Sequence, residues 1–246
     1  MPEIAVTRKG SGPEVLLVHG GASPPTTWSA LEGMAERWTL VLPYRRGYPP
    51  SPPPIDGGQD FEVDAADIAH LLSGRPHVVA HSYGVLAALL AAAASPAEVR
   101  SLTLIEPPLY FLAPGDPEVA RFERMGDIVL RDGLEADPAV LRRFLKLTGA
   151  PGVDDGPLPD DVANGVRRAQ GTRPPGEARP PLERLREARV PALVASGAHA
   201  PPLERICDAL AAELGAERVV SPGAGHFVQA APGFESHLER FLESVG

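Results

Sequence analysis

Ser82 lies in a sequence typical of a serine nucleophile at a sharp turn between a strand and a helix. Short apolar residues run up to Ala80, His-Ser-Tyr-Gly follows, and an alanine-rich segment comes next. Small residues, here Ala80 and Gly84, flank such a turn because its tight backbone leaves no room for larger side chains. The turn would expose the Ser82 hydroxyl for attack on an acyl group. An ordinary buried strand-turn-helix with an incidental serine is the alternative.

A second glycine-rich segment is typical of a loop that binds an oxyanion. An apolar run at 15–18 ends in His19, Gly20 and Gly21. Glycine lets the backbone approach a substrate closely and leaves its N–H groups free. We predict that the N–H groups of Gly21 and Tyr83 form an oxyanion hole, and that His19 holds the loop in place. A plain strand-to-helix turn is the alternative.

His226 is the best candidate for a general base among the seven histidines. It lies in the flexible run Ser-Pro-Gly-Ala-Gly-His-Phe, after the last short apolar segment. A base must come within roughly 3 Å of the serine hydroxyl, which a loop that tolerates repositioning allows. His77 and His81 flank the strand before Ser82, so we expect them to pack beside the site.

The elements that must position these residues alternate between strands and helices. Strands are predicted at 14–18, 39–42, 78–80, 102–105, 192–195 and 219–220. This order predicts an α/β fold with a doubly wound, mostly parallel sheet. The runs 4–8 and 14–18 are expected to form a hairpin or adjacent strands. A predicted helix over 61–72 places Asp64 and Asp67 on its solvated outer face.

Residues 109–187 interrupt the alternation. Helical segments are predicted at 117–131, 139–147 and 160–169, and glycine- and proline-rich joints separate them. We therefore predict a core formed by residues 1–108 and 188–246, with residues 109–187 inserted as a helical lid. Its place over the ends of the core strands is where such a lid would control access to a site.

Composition limits the partners and the environment. The 246 residues carry a net charge of −9 without a basic stripe, which argues against a nucleic-acid partner. The single cysteine, Cys207, excludes an internal disulfide and is expected to fill the core. We expect neither a signal peptide nor a membrane span, because no basic segment leads into an apolar run and no apolar run is long enough. We expect a cytoplasmic monomer or homodimer with a small-molecule acyl substrate, no membrane partner, and neither a cofactor nor a metal.

In their order and spacing, these motifs resemble the α/β-hydrolase fold superfamily, particularly its small, lidded esterase, haloperoxidase and dehalogenase members. Arg46-Gly47-Tyr48 with Ser51 also resembles that family's Arg-Gly-x-Gly-x-Ser turn, although Pro49 replaces the second glycine. The resemblance covers residues 3–108 and 188–246. It implies a serine hydrolase that cleaves an ester, thioester or lactone through an acyl-enzyme.

The resemblance leaves the position of the third catalytic residue open. Most relatives carry an aspartate on the loop after the strand at 192–195, where this chain has Ala200. Some relatives, including certain haloalkane dehalogenases, carry the acid after the strand that follows the serine's helix, and Glu106 occupies that place. The resemblance therefore implies a Ser82–His226–Glu106 triad. Glu204 is the next candidate acid, and an exposed loop carboxylate is the alternative for Glu106.

The serine argues against dehalogenase and epoxide hydrolase activity, because those relatives carry an aspartate at the same turn. Perhydrolase or haloperoxidase activity on the same triad remains an alternative. Another is a non-hydrolytic cyclase or binding protein of secondary metabolism with the same fold. Acylation of Ser82 by a fluorophosphonate probe would distinguish an intact triad from a dismantled one.

Overall fold

The computed structural model describes residues 3–154 and 156–245. Met1, Pro2, Asp155 and Gly246, which fall within the predicted core and insertion ranges, lie outside the described residues. The sheet consists of β1 Val6–Lys9, β2 Glu14–Val18, β3 Thr39–Pro43, β4 His77–His81, β5 Ser101–Ile105, β6 Ala192–Ser196 and β7 Glu217–Val220. Their order is β1-β3-β2-β4-β5-β6-β7, and all neighbours are parallel except β1 and β3. This confirms the predicted α/β fold with a mostly parallel sheet.

Helices connect the strands and cover both faces of the sheet. They are α1 Pro24–Trp28, α2 Phe61–Ala69, α3 Gly84–Ala94, α4 Pro117–Asp132, α5 Pro138–Leu147, α6 Asp160–Ala169, α7 Leu182–Glu187, α8 Pro201–Leu214 and α9 Phe234–Ser244. Asp60, Asp116 and Asp137 cap α2, α4 and α5, because each carboxylate accepts two free N–H groups of the first turn. No helix among the described residues is long and apolar enough to cross a membrane.

The predicted pairing of the first two strands is wrong. β1 pairs with β3 in antiparallel register, with Val6 opposite Pro43 and Lys9 opposite Leu40. β2 lies instead between β3 and β4 and is parallel to both. Four of the five residues of β2 are fully buried, which suits a central strand, whereas β1 is partly exposed and suits the edge.

Alternate side chains of β2 enter two hydrophobic clusters, one on each face of the sheet. Leu16 and Val18 pack on the face covered by α2, α3 and α8. Val15 and Leu17 pack on the face covered by α9 and the segment that contains Trp28. This alternation follows from the two-residue period of a strand. Cys207 is buried in the first cluster, as expected of a core residue.

Between β5 and β6 the described residues form helices, short 3₁₀ segments and loops. The insertion has a hydrophobic cluster of its own, built from Val129, Ala136, Leu141, Leu145, Val153, Val162 and Val166. One face of α4 and both buried leucines of α7 belong to the core cluster instead. The insertion is therefore anchored to the core by its first and last helices.

Candidate active site

Ser82 lies at the sharp turn between β4 and α3. Its backbone is left-handed, with φ of 52°, and its N–H donates to the Ile105 carbonyl at 2.8 Å. A Cβ on Gly84 would lie 2.3 Å from the His19 carbonyl oxygen, and one on Gly20 would lie 2.8 Å from the Ser82 Cβ. Both glycines are therefore required by close approach, and the turn holds a non-glycine residue in a strained conformation of the kind that clusters at functional sites.

Glu106 occupies the corresponding position at the end of the neighbouring strand, β5. It is fully buried, its φ is also 52°, and its N–H donates to the Ala195 carbonyl at 3.0 Å. Its Oε1 accepts the Gly197 N–H at 2.7 Å, and its Oε2 lies 3.4 Å from Nδ1 of His226. Because parallel strands end at one edge of a sheet, β4 and β5 bring Ser82 and Glu106 to the same edge.

His226 lies on the loop after β7 and is buried against His81. The two imidazole centroids are 4.6 Å apart, and Nε2 of His81 donates to the His226 carbonyl at 2.9 Å. Since Ser82 directly follows His81, the structure brings Ser82, His226 and Glu106 into one cluster. The His226–Glu106 contact is formed, whereas the Ser82 hydroxyl makes no hydrogen bond to a residue within 3–154 or 156–245. Such catalytic hydrogen bonds commonly tighten only when substrate binds.

The site favours neutral forms of its buried groups. Burial raises the pKa of Glu106 to about 7, and the Gly197 N–H partly opposes this shift. Burial lowers the pKa of His226 to about 3, and nearby His199 adds to the decrease. A neutral His226 is the state that a general base requires.

The N–H groups of Gly21 and Tyr83 have no hydrogen-bond acceptor within the described ranges. The loop that carries Gly21 is fastened by His19, as expected. Nδ1 of His19 lies 2.7 Å from the Ala22 carbonyl, and its Nε2 accepts the Arg45 N–H at 3.0 Å. Burial lowers the pKa of His19, which keeps the ring neutral and able to accept that bond.

Arg45 also holds the loop that carries Gly21, a role that sequence reasoning missed. Its guanidinium is 1% exposed and donates to the carbonyls of His19 at 3.0 Å and Gly20 at 2.6 Å. A planar trans peptide directs its C=O and N–H in opposite directions. The bond to the Gly20 carbonyl therefore turns the Gly21 N–H away from Arg45. The Tyr48 hydroxyl donates to the Gly21 carbonyl at 2.7 Å and holds the next peptide.

The predicted solvated position of Asp64 and Asp67 is wrong. Asp64 is 2% exposed and accepts from Nη1 of Arg45 at 2.6 Å, and Asp67 accepts two bonds from Arg46 at 2.7 and 2.9 Å. Burial raises the pKa of Asp64, and the Arg45 guanidinium opposes that shift. The sequence feature that could have predicted these ion pairs is two adjacent arginines after a buried strand, followed by two acids three positions apart.

Sequence reasoning also gave no role to His199, which lies on the loop after β6. Ala200, at the position where relatives carry an aspartate, is fully buried. His199 beside it places Nδ1 3.7 Å from Oε1 of Glu106, and its Nε2 lies 2.9 Å from the Leu147 carbonyl of the insertion. Glu106 therefore lies between two imidazoles.

Glu204, the other candidate acid, is engaged elsewhere. One carboxylate oxygen accepts from the Ser196 hydroxyl at 2.6 Å and from Arg218 at 2.8 Å, and the other accepts the Ala198 N–H at 3.0 Å. These bonds stabilise the loop that carries His199. Glu204 thus shapes the neighbourhood of the site without touching His226 in the described structure.

The parallel sheet, the strained serine turn and the histidine loop together define an α/β-hydrolase fold. The chain belongs to the Alpha/beta hydrolase family, whose sequence profile matches residues 15–241. It is 33% identical over 181 residues to a protein from Methylococcus capsulatus named pimeloyl-[acyl-carrier protein] methyl ester esterase, covering 72% of this chain and 67% of that protein.

Solved structures give the same family. A thermophilic esterase from Thermogutta terrifontis matches with a TM-score of 0.68 and 25% identity, covering 98% of this chain and 93% of that chain. A membrane phospholipase A described as a bacterial virulence factor matches with a TM-score of 0.74 and 22% identity, covering 98% of this chain and 83% of that chain. The second likeness concerns the fold alone.

Proposed function

We propose that this protein is a serine hydrolase that cleaves a small to medium-sized ester, thioester or lactone through an acyl-enzyme. The observation that carries the proposal is the contact of 3.4 Å between Nδ1 of His226 and Oε2 of Glu106, beside the strained turn of Ser82. Ser82 is the nucleophile, His226 the general base and Glu106 the acid that orients it. The likeness to an esterase-named relative supports a carboxylic ester as the substrate.

The reaction proceeds in two acyl-transfer steps. Nε2 of His226 takes the proton of the Ser82 hydroxyl while the oxygen attacks the carbonyl carbon, and Glu106 stabilises the imidazolium. The N–H groups of Gly21 and Tyr83 bind the oxyanion of the tetrahedral intermediate. The intermediate collapses, and His226 returns the proton to the leaving alcohol or thiol. Water then attacks the acyl-enzyme in the same way and releases the acid.

The insertion acts as a lid in this proposal. A Cβ on Gly149, directly after α5, would lie 3.0 Å from the His226 Cβ, so the insertion packs on the histidine loop. The insertion also contacts the residue after Ser82, because the Tyr83 hydroxyl donates to the Arg173 carbonyl at 3.0 Å. Ser82 is partly exposed beside this covering, which would exclude water during acyl transfer.

Pre-steady-state and steady-state hydrolysis of p-nitrophenyl butyrate tests the triad. We expect the wild type to turn over, and Ser82→Ala and Glu106→Gln each to lose at least about a hundredfold in kcat, or about 3 kcal/mol of transition-state stabilisation. A fluorophosphonate probe should label the wild type and leave Ser82→Ala unlabelled.

Glu204→Gln is the matched control for the acid. It removes a charge from α8, beside the loop that carries His199, but no contact with His226, so its kcat should stay within a few-fold of the wild type. A normal rate in Glu106→Gln together with a large loss in Glu204→Gln would assign the acid to Glu204 and contradict the proposed triad. A wild type with neither burst nor labelling would contradict the serine-hydrolase mechanism itself.

A further inference from the structure

Three metal-ligating side chains converge at the end of β5. Glu106 lies at the centre, with Nδ1 of His226 3.4 Å from its Oε2 and Nδ1 of His199 3.7 Å from its Oε1. One donor atom from each of the three residues lies within 4.8 Å of the other two. Glu106 and His226 are buried, and the His199 side chain is 17% exposed, although its Nδ1 is itself buried.

The spacing of these atoms fits a tetrahedral ion. Zn²⁺ binds imidazole nitrogen and carboxylate oxygen at about 2.0–2.2 Å, which places neighbouring ligand atoms about 3.3–3.6 Å apart. The contacts at 3.4 and 3.7 Å run to different oxygens of Glu106, and one donor atom from each residue lies within 4.8 Å of the other two, so an ion that binds all three would draw them closer together to form three corners of a tetrahedron.

The surroundings of His199 leave one of its ring nitrogens available to a cation. Its Nε2 lies 2.9 Å from the Leu147 carbonyl, and because a carbonyl only accepts, Nε2 carries the proton. Nδ1 faces Glu106 and is a buried atom without a hydrogen-bond partner among the described residues. A buried polar atom without a partner is costly, and a bound cation would supply that partner. A donor bond from the far nitrogen to a carbonyl is also how metal-bound histidines are usually held.

The donor set selects the type of ion. Two imidazoles and one carboxylate suit Zn²⁺ and its neighbours, whereas Mg²⁺ and Ca²⁺ prefer oxygen ligands throughout. We propose that Glu106, His199 and His226 form a binding site for a divalent transition-metal ion, Zn²⁺ foremost, and that the bound ion inhibits acyl transfer by withdrawing Glu106 and His226 from Ser82. The inhibition, unlike the binding, rests on the proposed function.

Binding is tested without catalysis, by titrating Zn²⁺ into the Ser82→Ala protein in competition with a chromophoric chelator. We expect one ion per chain, and no competition by millimolar Mg²⁺. Adding His199→Gln should weaken binding at least about tenfold, the scale of loss when metal-site residues are removed. The matched control is His237→Gln on α9, which removes another histidine paired with a carboxylate, Glu217, outside the site.

Three results would overturn the site: no saturable binding to the Ser82→Ala protein, unchanged affinity on adding His199→Gln, or an equal loss on adding His237→Gln. Thermal unfolding without metal checks that each variant is folded, and Glu106→Gln provides a second ligand variant, which should also weaken binding.

The inhibition is tested on p-nitrophenyl butyrate hydrolysis, with each protein normalised to its own metal-free rate. The Zn²⁺ concentration that inhibits the wild type and His237→Gln should be at least about tenfold lower than the concentration that inhibits His199→Gln. Bound Zn²⁺ with an unchanged wild-type rate would overturn the inhibition and leave the binding site standing.

Discussion

Arg45 shows how a buried ion pair can organise a site that it does not enter. Its guanidinium holds the carbonyls of His19 and Gly20 and is itself held by Asp64. A buried guanidinium without a partner is costly, so Asp64 makes its burial possible. The pair thereby fixes the peptide whose N–H we assign to the oxyanion hole, and Arg45 is a positioning residue in that proposal.

The double variant Arg45→Met/Asp64→Leu separates stability from positioning. Arg45→Met alone should lose about 3–5 kcal/mol of unfolding free energy, because it leaves the Asp64 carboxylate buried and unpaired. The double variant should recover much of that lost stability. Its kcat should nevertheless remain at least about tenfold below the wild type, with little change in KM, because an oxyanion donor acts mainly in the transition state. Urea denaturation and steady-state kinetics measure the two effects.

Tyr48→Phe is the milder probe of the same loop, because it removes only the hydroxyl that donates to the Gly21 carbonyl. It should lower kcat less than the double variant does and leave the ion pair in place. Equal kcat values in the double variant and the wild type would show that the loop keeps its orientation without Arg45.

At the scale of elements, the insertion and the core meet directly over the candidate base. The segment after α5 places Gly149 against the side chains of His226 and Phe227, and the Leu147 carbonyl accepts from His199. A single short segment of the insertion thus contacts both histidines that flank Glu106. Movement of α5 should therefore change the environment of the candidate base.

Gly149→Ala tests this contact. Gly149 has φ of 75°, and the new Cβ would lie 3.0 Å from the His226 Cβ and 3.2 Å from the Phe227 ring. We expect a loss of about 1–3 kcal/mol in unfolding free energy from the left-handed backbone, and a lower kcat because His226 must shift. Denaturation and p-nitrophenyl butyrate kinetics measure both.

Gly115→Ala is the matched control within the insertion. Its φ is 80°, and a Cβ there meets nothing within 4 Å. It should have a similar backbone cost with kcat unchanged. A similar decrease in kcat for both variants would show that the effect comes from general loosening of the insertion and not from contact with His226.

At the scale of the whole molecule, the hydrophobic side chains are divided among three clusters. Two lie on the two faces of the sheet, and the third lies within the insertion. Side chains of α4 connect the insertion to the first cluster. We therefore expect the insertion to open locally without unfolding of the sheet, as a lid requires.

Leu141→Ala and Leu17→Ala should differ in which part of the molecule they loosen. Each removes a buried leucine side chain, at a cost of about 2–5 kcal/mol. Leu141 belongs to the cluster of the insertion and Leu17 to a cluster of the sheet. Hydrogen exchange should rise mainly in α4–α6 for Leu141→Ala and throughout the central strands for Leu17→Ala. Equal exchange in the strands of both variants would mean that insertion and core unfold as one unit.

The sequence alone predicted most of the elements and three segments of the candidate site. The Ser82 turn, the glycine loop with Gly21 and the loop of His226 are each encoded by residues only a few positions apart. Such local patterns of apolar, small and polar residues predict strands, turns and helices directly. Glu106 was identified by the resemblance to a family, because no local pattern distinguishes its carboxylate from others in the chain.

Tertiary structure decided which distant residues meet. His226 and Glu106 are 120 positions apart, and their contact depends on the order of the strands in the sheet. The same order places β1 beside β3 and brings His199 to Glu106. The Arg45–Asp64 pair depends on how α2 packs, which its alternation of acidic and apolar residues did not show. A local pattern shows whether a segment forms a strand or a helix. Which other element that segment packs against depends on the burial of complementary surfaces across the whole chain.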